Sequence, residues 1–356
     1  MEKLRVLLIG AAFSADLHSD GYSRILDKVQ IVGICDKDVS RIEDLAKRYG
    51  FTGYTAYDDY NTAIAECDCD LVDICMPNFL HHDVAIKAMN AGKDIICEKP
   101  LATTVEDAQD MVDTAARLGK HIYYAEDWLF APAFRKAKSL LESGQLGKLL
   151  YIRARECHSG SHSPFAQTIK YCGGGCMVHL GVHPVCFMLA LKDNKWAELT
   201  AMTSGGLENN LIHNKMEGED WAGAFMRFQD GTFATMEANY VTVGGMEDIM
   251  DIYCERGTIK VDLSFRGPVQ AFSIDGLDYT IEKAEVTTGW SNVAVDEKYQ
   301  LGYCGEINHF VECAMNGVDA QVGLRGIDGL EAMRVINLIY KSAKEGVNVK
   351  NDKLEG

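Results

Sequence analysis

No run of about 18 uninterrupted apolar residues occurs in this chain of 356, so a membrane-spanning helix is not expected. The opening apolar run, Val6 to Ile9, is also too short for the hydrophobic region of a signal peptide and reads better as a buried strand. Positive charge is scarce. With 35 Lys and Arg against 52 Asp and Glu, the net charge of −17 opposes phosphate backbones, and nucleic acid is not an expected partner. Cysteine is present, twelve residues in all, but lacks a framework. Neither Cys67-x-Cys69 nor Cys172-x-x-x-Cys176 has the second pair or the histidine spacing that a zinc module needs. Cys35, Cys75, Cys97 and Cys186 stand inside apolar runs, which suits reduced core thiols in a cytoplasmic protein. Internal repeats and low-complexity linkers are missing too.

What is present is a chain long enough for two cores. From residue 4 to about 125, short apolar runs (Arg5–Ile9, Ile31–Cys35, Leu71–Met76, Asp94–Cys97, His121–Tyr123) alternate with amphipathic stretches such as Ser40–Tyr49 and His82–Ala91. Strand and helix in strict alternation imply a parallel sheet with crossover helices. After Pro132 the texture changes. Phe134–Ser143 reads as a helix, and Leu149–Arg155, Ala222–Gln229, Thr232–Tyr240 and Asp248–Tyr253 read as strands, with turn signals at Asp230-Gly231 and Gly244-Gly245. Helices are expected over Gly305–Met315 and Gly326–Glu345, and the charged tail Lys350–Gly356 is expected to fray. The expected fold is therefore α/β: a Rossmann-type parallel domain over 1–125, then an α+β domain over 126–350 with an open, mainly antiparallel sheet.

The first strand runs into Gly10-Ala11-Ala12-Phe13-Ser14-Ala15. A dinucleotide fingerprint wants glycine for the tight turn and small residues at the next two key positions, and here only the first glycine is kept. Asp36 ends the second strand, where a carboxylate can accept from both hydroxyls of an adenosine ribose; NAD is favoured over NADP, whose 2′-phosphate it would repel. Lys37 and Arg41 lie close by and weaken that preference.

Asp73-Ile74-Cys75-Met76-Pro77-Asn78-Phe79-Leu80-His81, Gly92-Lys93 and Glu98-Lys99-Pro100 follow in order, and later Gly173-Gly174-Gly175, His179-x-Gly181-x-His183, Glu306-Ile307-x-His309-Phe310 and Asp328-Gly329-Leu330. This set, spread over nearly the whole chain, resembles the Gfo/Idh/MocA family of NAD(P)-dependent sugar and polyol oxidoreductases. The resemblance implies that Gly10, Ala12, Phe13, Ser14, Asp36, Met76, Pro77, Asn78, His81, Glu98 and Asp127 serve the cofactor. It implies that Lys99 meets the reacting hydroxyl, a role that suits a partly desolvated lysine beside a nicotinamide. It makes His183 the proton shuttle. Where the family pattern has an aspartate four residues earlier this chain has His179, which is expected to share one helix face with His183 but cannot supply negative charge. Glu126 and Trp128, and His158 and His162 in the polar stretch Glu156–Pro164, are expected to face a polyhydroxylated substrate, together with His179.

Glu126, His158, His162, His179 and His183 would also suit a metal. The glutamate that follows the first histidine in zinc proteases is missing and hydride transfer needs none, so no metal is expected. The expected activity is hydride transfer at a secondary alcohol carbon of a sugar, glycoside or cyclitol, in a homo-oligomer (dimer or tetramer), since an open antiparallel sheet needs covering. Two rivals share the fold: a redox-neutral glycosidase or epimerase working through a transient keto-sugar, and a catalytically silent ligand sensor.

Overall fold

The computed structural model describes residues 2–161, 163–264, 269–276, 288–293 and 295–351. Two compact units emerge: Met1–Phe130 with Gly302–Met333, and Ala131–Leu301 with Arg334–Gly356. A single cut at 125/126 has no counterpart for the return of Gly302–Met333 to the first unit.

The first unit begins with β1 (Leu4–Ile9), α1 (Phe13–Ser23), β2 (Val29–Cys35), α2 (Val39–Tyr49), β3 (Thr55–Tyr57) and α3 (Tyr60–Glu66). It goes on with β4 (Leu71–Ile74), α4 (His81–Asn90), β5 (Asp94–Glu98), α5 (Val105–Leu118) and β6 (Ile122–Ala125). All six strands are parallel, in the order β3-β2-β1-β4-β5-β6. The central strands are mostly apolar, with Asp73 the buried exception in β4, because helices cover both faces of a parallel sheet. Helix boundaries follow local chemistry: Asp38 caps α2 by accepting from the Ser40 N–H, Thr104 caps α5 by accepting from the Asp107 N–H, and both helices stop at a left-handed glycine, Gly50 and Gly119.

The second unit contains α6 (Pro132–Glu142), β7 (Leu149–Cys157), α7 (Ile169–Cys172), α8 (Cys176–His179), α9 (Val182–Leu191), β8 (Trp196–Thr203), β9 (Trp221–Phe228), β10 (Phe233–Asn239), β11 (Glu247–Cys254) and β12 (Gly257–Asp262). A hairpin, β13 (Val269–Ser273) and β14 (Gly289–Val293), and α10 (Glu297–Leu301) follow. Helices α11 (Tyr303–Asn316) and α12 (Gly326–Glu345) and the short strand β15 (Val349–Lys350) complete the chain. The large sheet has the order β12-β11-β7-β10-β9-β8-β15 and is antiparallel except at β7–β10, which is parallel. One face packs on α8 and α9 through Ile152, Ala154, Met226 and Met236; the other carries Phe225, Phe233 and Met202 into solvent. Lys350 is paired in β15 against Glu198 instead of fraying, while 352–356 lie outside the described residues. All twelve cysteines are free and buried. Among the described residues no single helix is long and apolar enough to cross a membrane.

Candidate active site

At the C-terminal end of β1 the chain turns at Gly10 with φ +107, a conformation open to glycine; a Cβ there would lie 2.2 Å from the Cys75 carbonyl oxygen. Ala12, the residue before α1, offers no side-chain cap, leaving the first-turn N–H groups for an anion. Asp36 Oδ2 accepts from the Ala11 N–H (2.9 Å) and Oδ1 from the Asp38 N–H (2.9 Å), so the residue expected at the ribose also braces the glycine turn. The tight turn, the uncapped helix and a carboxylate at the next strand end fit a dinucleotide.

Met76, Pro77 and Asn78 follow β4, the neighbour of β1, and are half-buried. His81 is fully buried, with Nδ1 2.8 Å from the Pro100 carbonyl oxygen and Nε2 2.8 Å from that of Met76. Burial pushes its protonation down; the neutral ring donates to one carbonyl at a time and ties the two loops together. Glu98, also buried, ends β5. Its Oε1 accepts from His18 Nε2 (3.1 Å) and its Oε2 from the Lys99 backbone N–H (3.0 Å). Whatever His81 and Glu98 give a cofactor therefore passes through the segments they hold. The Lys99-Pro100 peptide is cis.

Glu126, Asp127 and Trp128, expected at the ligands, are buried after β6. Glu306 of α11, quoted above only as part of a motif, accepts from the Glu126 N–H through Oε1 at 2.5 Å. Burial first, then Asp127, pushes both the Glu126 and the Glu306 carboxyl well above the ordinary value, and Lys99 acts electrostatically on Glu126 in the opposite sense. Within this unit three side chains of types that can bind a metal, His18, Asp73 and Cys75, bring ligand atoms within 4.8 Å of one another.

In the second unit, Gly173, Gly174 and Gly175 allow a close approach. A Cβ on Gly174 would sit 2.3 Å from the Tyr340 hydroxyl and one on Gly175 2.1 Å from the Glu219 carbonyl. The Glu219 carboxylate accepts from the Gly175 (3.1 Å) and Met177 (2.8 Å) N–H groups and thereby caps α8. The shared helix face expected of His179 and His183 is not found. His179 closes α8, the chain breaks at Leu180-Gly181, and His183 is the second residue of α9, turned by 57°. Gly181 packs on Met177, leaving 2.2 Å to Sδ for a Cβ, and Pro184 falls in the first turn of α9, where it is tolerated. His183 Nε2 lies 3.9 Å from Glu156 Oε2, both residues buried, so a carboxylate does stand beside this imidazole, though not at 179.

His158 stacks on Tyr240 with centroids 5.2 Å apart, and its Nδ1 accepts from the Gly160 N–H. His179 meets the edge of the same tyrosine. A cavity of about 270 Å³ opens here, lined by Ser159, Ser161, Gln167, His213 and Tyr240 among others. His213, which sequence reasoning missed, donates Nε2–H to the Tyr240 carbonyl (2.8 Å), leaving Nδ1 as an acceptor. His162 lies outside the described residues.

A parallel sheet with a glycine turn, an uncapped helix and an acidic strand end, followed by a sheet domain bearing buried histidines, defines a two-unit, NAD-dependent oxidoreductase. Residues 4–126 match the model of the oxidoreductase family with an NAD-binding Rossmann fold, and 134–260 match that of the GFO/IDH/MocA C-terminal domain; the chain belongs to the Gfo/Idh/MocA family. It is 25% identical over 355 residues to D-glucoside 3-dehydrogenase of Escherichia coli (strain K12), covering 98% of this chain and 97% of the relative. It is 24% identical to the scyllo-inositol 2-dehydrogenase (NAD(+)) of Bacillus subtilis (strain 168), covering 93% and 94%. The crystal structure of GenD2 from gentamicin A biosynthesis in complex with NAD superimposes with a TM-score of 0.89 at 21% identity, over 99% of this chain and 97% of that one.

Proposed function

We propose that this chain is a dehydrogenase for a secondary alcohol carbon of a neutral sugar, glycoside or cyclitol. The observation that carries the reading is the shared sheet edge: Lys99 follows β5, two strands from the Gly10 turn, so one sheet presents both the dinucleotide elements and an ammonium group. Bound NAD would take or return the hydride. Lys99 would polarise the reacting oxygen, and His183, with Glu156 near its Nε2, would move the proton. Ser159, Gln167 and His213 offer donors and an acceptor to a polyhydroxylated ring, and the chain's net charge of −17 favours a neutral one. Twelve free thiols support a reducing cytoplasm.

A homo-oligomer is proposed from the uncovered sheet face, where Phe225, Met202 and Phe233 are 69%, 71% and 57% exposed. The test of activity is a screen of sugars and cyclitols with NAD and NADP, followed at the nicotinamide absorbance band. Stoichiometric NADH release with NAD preferred is expected. Turnover without net NADH would overturn it in favour of the redox-neutral reading, and no turnover beside intact NAD binding in favour of the sensor.

A further inference from the structure

Five groups form a hydrogen-bonded row through the first unit. The Tyr22 hydroxyl on α1 donates to Asp73 Oδ2 at 2.9 Å. His18, one turn earlier on α1, has Nδ1 2.9 Å and 3.0 Å from the two Asp73 oxygens and Nε2 3.1 Å from Glu98 Oε1. The second oxygen of Glu98 accepts the Lys99 backbone N–H at 3.0 Å. Tyr22, His18 and Asp73 have no solvent exposure and Glu98 has 6%.

Each ring nitrogen of His18 faces a carboxylate, so each carries a proton and the ring is an imidazolium. Burial opposes that charge, but Asp73, followed by Cys75, overcomes it and holds the group well above its ordinary value. The same cation keeps Glu98 below the usual carboxylate range in spite of its burial. Cys75 completes a trio with metal-like composition, but its sulfur sits 3.4 Å from His18 Nδ1 and donates toward Asp73 at 3.6 Å. Nitrogen and oxygens are taken up by one another, which is the arrangement of an ion pair and not of a vacant ligand set.

Such a row is an odd choice for stability. Its neighbours in β4, Leu71, Val72 and Ile74, are apolar, and an aliphatic residue at 73 with another at 18 would avoid burying three charges. What the row does provide is direction. It fixes the Glu98 carboxylate from α1, the helix that starts at the dinucleotide turn, and through Glu98 it fixes the backbone from which Lys99 extends.

We propose that His18, clamped by Asp73, is a positioning residue that sets the Lys99 ammonium at the reacting oxygen. This rests on the reading of Lys99 given above. Both would be examined with the best substrate of the sugar and cyclitol screen, deuterated at its carbinol carbon. His18→Gln is expected to bind NAD within about threefold of the parent by calorimetry, while kcat falls about ten- to a hundredfold and the primary deuterium isotope effect rises as hydride transfer becomes slow. Asp73→Asn, which leaves the His18–Glu98 contact in place, is expected to do the same to a smaller degree and guards against a His18 variant that does not fold. A lowered melting temperature with parental kcat and isotope effect would overturn the proposal, as would failure of both variants to fold, since the row would then be scaffold alone. Lys99→Ala separates the two ideas. If it retains parental turnover the lysine reading fails; if it is inactive while His18→Gln is parental, only the positioning role fails.

Discussion

Glu306 places a carboxyl group where burial and the neighbouring Asp127 oppose its charge, and His18 places an imidazole where two carboxylates demand one. Both hold a proton in the folded chain at pH values where the unfolded chain has released it. Their contribution to stability is full below the ordinary values, 4.5 for the glutamate and 6.5 for the histidine, and is lost as pH rises through the higher folded values. Melting temperature should therefore decline from about pH 6 toward pH 9, each such proton contributing a slope of up to about 1.4 kcal/mol per pH unit. Glu306→Gln should make that decline shallower in a calorimetric pH series; a variant that tracks the parent would show that Glu306 is ionised in the fold. Asp36 invites a second substitution. Asp36→Ala removes the acceptor of the Ala11 N–H as well as the proposed ribose contact, so NAD affinity should fall about tenfold and the preference over NADP should narrow, as read by calorimetry with each nucleotide. An unchanged NAD-to-NADP ratio would remove Asp36 from cofactor selection.

The loop between β8 and β9 is held as a unit by two side chains. Asn210 Oδ1 accepts from the Ser204 hydroxyl and the Gly206 and Asp220 N–H groups, while Nδ2 reaches the carbonyls of His213, Met216 and Gly218. Asp220 accepts from the N–H groups of Leu211, Ile212 and His213, and these bonds outweigh its burial to hold it below the usual range. His213 is thus presented at the cavity by a rigid loop. Asn210→Ala should cost about 1–3 kcal/mol in denaturant unfolding and raise KM for the sugar several-fold, with NAD affinity unchanged; an unaltered KM would detach this loop from substrate binding. None of it was legible beforehand, because an asparagine hub leaves no periodic trace. Parallel strands did, since burial on both faces makes them near-continuous apolar runs such as Val6–Ile9. Strand β3 is three mostly exposed residues and β8 mixes Thr, Ala and Glu, so neither stood out. Lys99 was singled out by its motif, whereas His18 and Asp73 are 55 residues apart and meet only in the fold. The break between His179 and His183 turns on Gly181 packing against Met177, a contact that i,i+4 spacing cannot reveal.

At the scale of the whole molecule, charge and exposed surface pull in opposite directions. A net charge of −17 makes copies of the chain repel one another, yet the open face of the seven-stranded sheet is nearly neutral by its own pairing. Arg227 Nε is 2.7 Å from Glu198, Arg153 Nη2 is 2.5 Å from Asp251, and the Tyr151 hydroxyl is 2.6 Å from that of Thr235. What remains for a neighbour is Phe225, Phe233 and Met202, which the register of β8, β9 and β10 sets on one face with Phe233 and Met202 diagonal to Phe225. A second copy meeting this face would bury apolar surface at about 25 cal/mol per Å² beside charges that are largely paired within the face. Added salt screens the repulsion over about 8–10 Å and leaves the apolar contact intact, so the assembly should tighten from low to moderate ionic strength, the reverse of what an ion-paired interface does. Light scattering behind size exclusion should accordingly show a dimer or tetramer whose dissociation falls with salt, and Phe225→Asp should shift it toward the single chain while the melting temperature changes little, since that side chain faces solvent in the isolated unit. An assembly that loosens with salt, or one indifferent to Phe225→Asp, would place the interface on another surface.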